Sequence, residues 1–108
     1  MIAYVTLGAD DIAQAERFYA AFLPKLGYTL ELSDDGLSCT LPRPTDHQAK
    51  PVDLYIKRPY DRQAASPGNG TMLAFRVGTR ALVRALHAAG LANGGRNEGG
   101  PGFRAEYS

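Results

Sequence analysis

The sequence predicts an α+β fold of two βαβββ modules, the second incomplete. Three observations point there. Short stretches alternate apolar and polar residues with the period of strands, and two longer stretches repeat apolar residues with the period of helices. Each helical stretch follows a strand and opens on a capping residue. The two strand–helix openings superimpose at a fixed offset of 68 residues.

Residues 2–9 form the first strand, with Ala3, Val5 and Leu7 on an apolar face and Tyr4, Thr6 and Gly8 on the other. Asp11 is placed to cap a helix, and Gln14 three residues on completes a capping box. Ile12, Ala15, Phe18, Phe22 and Leu26 recur at helical spacing and give that helix a buried stripe. Pro24 ends the regular helix just before it, and Gly27 allows the turn that follows.

Residues 28–33 alternate again, Asp34-Asp35-Gly36 is a hairpin signal, and residues 37–41 return as Leu37, Cys39 and Leu41 against Ser38 and Thr40. Pro42 through Pro51 is a polar loop. A fourth strand follows, with Val52, Leu54 and Ile56 opposite Asp53, Tyr55 and Lys57. The first module thus spans residues 1–58.

Residues 59–70, rich in proline and glycine, read as a linker. Leu73, Phe75 and Val77 then face away from Met72, Ala74 and Arg76 in a fifth strand. Thr79 caps a second helix whose buried stripe is Leu82, Val83, Leu86 and Ala89, with Arg80, Arg84 and His87 on the wetter side. Gly90 is a natural terminator. A glycine-rich loop leads to a last strand from Phe103 to Tyr107. This second module, 71–108, has one strand after its helix where the first has three. That predicts an unpaired edge at Tyr107, to be completed by further chain or by another molecule.

The single cysteine, Cys39, excludes an internal disulfide framework. No apolar run is long enough to span a bilayer, and the N-terminus lacks the basic and apolar regions of a signal peptide. A cytoplasmic protein with no membrane partner is the expectation. The formal charge is +1, which gives no global field for nucleic acid. Its distribution is uneven: residues 1–54 hold four basic and eight acidic side chains, and residues 55–108 hold eight and three.

Tyr4-Val-Thr-Leu-Gly-Ala-Asp-Asp11, Phe18-Tyr19 and Leu26-Gly27-Tyr28 resemble the opening module of the vicinal oxygen chelate superfamily. This superfamily includes glyoxalase I, bleomycin resistance proteins and extradiol dioxygenases. Gly70 to Phe75 resembles the start of its second module, and Asn93-Gly94-Gly95 with Gly99 to Arg104 resembles the loop and strand that follow. The resemblance implies sheets curled around a cleft, homodimerisation, and in most members a divalent metal acting as a Lewis acid. The metal ligand positions that open the first and fifth strands are occupied here by Tyr4 and Met72. On the fourth strand, where a glutamate is usual, the cleft-facing residues are Asp53 and Tyr55. Met and neutral Tyr are poor ligands for the ions this chemistry needs. Neither His47 nor His87 stands at a ligand position.

A metal-free cleft is therefore expected, without a cofactor, lined by Tyr4, Thr6, Asp53, Tyr55, Met72, Ala74 and Arg76. Such a lining suits a small, aromatic or partly apolar molecule. Arg76 offers a fork of donors to a carboxylate or phosphate, or else pairs with Asp53. Two other readings stay open: a metal-dependent lyase, isomerase or dioxygenase-type enzyme on a small oxygenated metabolite, and a ligand-free structural or dimerising module. Catalytic residues are not identifiable. Cys39 reads as an inert core thiol.

Overall fold

The protein is described by a computed structural model over residues 1–43, 51–66 and 68–95. Four strands form one mixed sheet: β1 (Tyr4–Gly8), β2 (Thr29–Ser33), β3 (Gly36–Thr40) and β4 (Asp53–Lys57), in spatial order β1-β4-β3-β2. β1 runs parallel to β4, and the other neighbours are antiparallel. The parallel pair needs a long connection, and everything from α1 (Ile12–Ala20) through β3 supplies it.

Alternation gives the sheet two unlike faces. The register aligns Leu7, Ile56, Leu37 and Leu32 in one row and Val5, Leu54, Cys39 and Leu30 in the next. Apart from the exposed Leu32, these rows are the floor of the core, where Leu37, Cys39, Leu54 and Ile56 are buried together with Leu23. Ala15, Tyr19 and Phe22 pack onto it from the helical side, and Phe75 joins them from the later chain. Fully burying each aliphatic side chain of this size is worth about 1.5–3 kcal/mol.

Both helices start where the sequence says. The Gln14 amide donates to Asp11 Oδ1 at 3.0 Å, and the Leu82 amide donates to Thr79 Oγ1 at 3.1 Å. Their ends differ from expectation. α1 stops at Ala20, and Pro24 lies inside a 3-10 turn over Leu23–Leu26. Proline's fixed φ suits the first residues of a helical turn, so it opens this short turn instead of closing the helix. Gly27 then caps it at φ 96°. The second helix, α2 (Arg80–Ala92), continues through Gly90. A Cβ there would lie 3.5 Å from the Phe18 ring, an ordinary packing distance, so α2 rests against α1 at this point.

The fifth strand is a correction. Residues 72–77 are not hydrogen-bonded into a ladder among the described residues. Alternation survives only in part: Phe75 and Val77 are half-buried, but Leu73 is exposed together with Met72, Ala74 and Arg76. What holds the stretch is aromatic packing: the Phe75 ring meets Phe22 at 6.1 Å and Tyr28 at 6.2 Å, both edge-on. An extended pattern becomes a strand only beside a partner, and no described strand lies alongside this one. The second helix is also turned from its expected orientation, for Val83 is exposed and His87 is half-buried. The predicted last strand, 103–107, falls outside the described residues, as does His47.

Candidate functional site

The face of the sheet away from the helices is built from the other half of each alternation. Thr6, Tyr55, Ser38 and Glu31 stand side by side across all four strands, and Tyr4 is registered against Asp53. Four of the seven expected site residues, Tyr4, Thr6, Asp53 and Tyr55, are thereby brought onto adjacent strands.

The Tyr4 and Tyr55 rings meet edge-to-face, with centroids 5.4 Å apart and planes at 82°. Tyr4 is 61% exposed. Lys57, next but one to Tyr55 and on the same face, places its Nζ 5.7 Å from the Tyr55 centroid. Rings, hydroxyls and a cation thus share one accessible surface.

Asp53, expected to contact a ligand, is engaged within the protein. It is almost completely buried, and its carboxylate is ion-paired with the Arg43 guanidinium. The Leu41 amide also lies within 3.5 Å of Oδ1. Arg76 is exposed, and its expected pairing with Asp53 is not made. The Arg43 pairing follows from the strand order. β3 and β4 are antiparallel neighbours, so the two ends of the Pro42–Pro51 loop must meet, which brings Arg43 beside Asp53. Burying the carboxylate requires such a partner.

Met72, Ala74 and Arg76 lie together on one exposed side of the 72–77 stretch. Among the described residues, no hydrogen bond, ion pair or aromatic contact joins them to Tyr4, Thr6, Asp53 or Tyr55.

The donor set does not fit a divalent metal. The Asp53 carboxylate is engaged by Arg43, and its neighbours on β1 and β4 are two phenols and a hydroxyl. Among the described residues, no group of three or more His, Cys, Asp and Glu comes together. Cys39 lies on the opposite, apolar face, where burial pushes its thiol up to about 11. At neutral pH it is a protonated core side chain and a poor nucleophile. No helix among the described residues is long and apolar enough to cross a membrane.

No protein-family profile matches the sequence, and no curated protein matches it. Among solved structures, the fold is similar to a glyoxalase/bleomycin resistance protein from Albidiferax ferrireducens T118, with a TM-score of 0.76 and 31% sequence identity. The match covers 96% of this chain and 79% of that one. Shared sequence and shared fold over nearly the whole length agree with the strand order found here, and the chain belongs to the glyoxalase/bleomycin resistance protein family.

Proposed function

We propose that the chain binds a small planar or partly apolar molecule on the open face of its sheet, without a metal ion. The observation that carries this reading is the Tyr4–Tyr55 pair, in which an exposed Tyr4 ring stands against a half-buried Tyr55. Two rings at 82° present a face and an edge to a third ring, the geometry in which aromatic contacts are favourable. Thr6 and Ser38 flank Tyr55 with hydroxyls that can fix an orientation, and Lys57 can meet an anionic substituent. Arg43 engages the Asp53 carboxylate, and among the described residues no three His, Cys, Asp or Glu come together that could hold a metal.

Binding is tested by titrating isotope-labelled protein with benzoate, 4-hydroxybenzoate, catechol and indole and following the backbone amides. Saturable shifts should concentrate on residues 4–8 and 53–57 and vanish in Tyr4→Ala. If these amides stay still with all four compounds, or shift equally in the variant, the reading fails.

A further inference from the structure

We propose that the chain has a second ligand site on its helical side, for a small amphipathic carboxylate. α1, α2 and the 75–77 stretch leave between them a groove of about 340 Å³. Phe18, Phe22, Phe75, Val77, Val83 and Leu86 line it, with His87 as its ionisable member. The volume is at the lower end of the range for small-molecule sites, and the largely apolar lining with a few polar groups is their usual character. The groove lies across the sheet from Tyr4 and Tyr55 and is independent of the site proposed there.

Charge decides which apolar molecule suits it. On α2, Arg80, Arg84, His87 and Leu91 follow one another at spacings of four, three and four residues and so form a single stripe. Two of them, His87 and Leu91, line the groove, so the stripe runs along its border and continues into the two arginines. From Arg62 to Asn97 the chain contains no Asp or Glu. The arginines also stand in the first half of α2, and its first turn holds no acidic residue. Cations there oppose the helix dipole and cost stability. That arrangement is unfavourable for the helix but sums with the dipole into a positive field beside an apolar slot. An anion with an apolar body satisfies both, its tail among the rings and its carboxylate at the stripe.

Octanoate and its uncharged counterpart 1-octanol test this on the full chain, with affinities from amide shifts. Octanoate should shift the amides of residues 83–91 saturably and bind more tightly than octanol. Arg80→Ala combined with Arg84→Ala removes two exposed side chains and should leave the fold intact. It should weaken octanoate at least about threefold, from the usual strength of exposed ion pairs, and leave octanol unchanged. Val83→Trp should fill the groove and weaken both about tenfold or more, while a far-UV spectrum like the parent's verifies folding. The proposal is overturned if octanoate and octanol bind alike, or if the double variant binds octanoate as well as the parent. It is equally overturned if no saturable shift reaches α2, as when residues 96–108 or a second copy already fill the groove.

Discussion

Gly36 is the position where one added methyl group should do most damage. It opens β3 directly after the Asp34-Asp35 turn and is paired with Ser33 on one side and Lys57 on the other. Its φ is 138°, and a Cβ built there would run into the Ile56 carbonyl oxygen, with Ile56 C and Lys57 Cα both at 3.2 Å. These obstacles are backbone atoms of the neighbouring strand and cannot swing aside. Gly36→Ala therefore incurs about 1–2 kcal/mol for the positive φ and about 1–3 kcal/mol for forcing the strands apart. With a urea slope near the low end for small domains, roughly 1–1.5 kcal/mol per M, the unfolding midpoint should fall by about 1.5 M or more. Tyrosine fluorescence and far-UV circular dichroism can both follow it. Two other glycines separate the contributions. Gly70 has φ 89° and open space around it, so Gly70→Ala should cost about 1 kcal/mol, from conformation alone. Gly78 has open space and no positive φ, so Gly78→Ala should be neutral or stabilising by up to about 1 kcal/mol. If Gly36→Ala unfolds at the same urea concentration as Gly78→Ala, the close β3–β4 approach is wrong.

Other perturbations test the remaining elements. Arg43→Met leaves the buried Asp53 carboxylate without its ion-pair partner and should lower stability by about 1–3 kcal/mol in the same urea assay. Phe75→Ala removes the ring that anchors the 72–77 stretch to Phe22 and Tyr28. It should cost about 2–3 kcal/mol and make that stretch more susceptible to limited proteolysis. The Cys39 thiol is raised from 9.0 to about 11 by burial, so the folded state holds its proton more tightly than the unfolded chain. Its contribution to stability is intact below pH 9 and is lost between about pH 9 and 11; Cys39→Ala should show a shallower decline over that interval. A thiol reagent at pH 8 should label Cys39 slowly in buffer and rapidly in urea.

The first module was almost fully legible in the sequence because its signals are local. Asp11 caps through a bond spanning three residues, as Thr79 does in the later chain, and each strand of the sheet carries its own alternation. What required the structure is non-local. Whether Phe75 enters a sheet depends on a partner strand that no residue between 72 and 77 encodes. Gly90 reads as a helix terminator, whereas α2 runs through it and sets it against the Phe18 ring. His87 reads as solvent-facing until the tilt of α2 places it on a groove. At the candidate site, alternation placed Tyr4, Thr6, Asp53 and Tyr55 on one face, as the register bears out. The Arg43 pairing that occupies Asp53 depends on how the two ends of a loop meet, and only the strand order fixes that.

The ligand site on the sheet is tested most directly by measuring 4-hydroxybenzoate affinity and urea stability together for the parent chain, Tyr4→Phe and Tyr4→Ala. Tyr4 is largely exposed, so stability should stay within about 1 kcal/mol in both variants. Affinity should survive in Tyr4→Phe, which keeps the ring, and fall about tenfold in Tyr4→Ala, which loses it. Equal affinity in all three proteins would remove Tyr4 from any binding role and with it the proposed site.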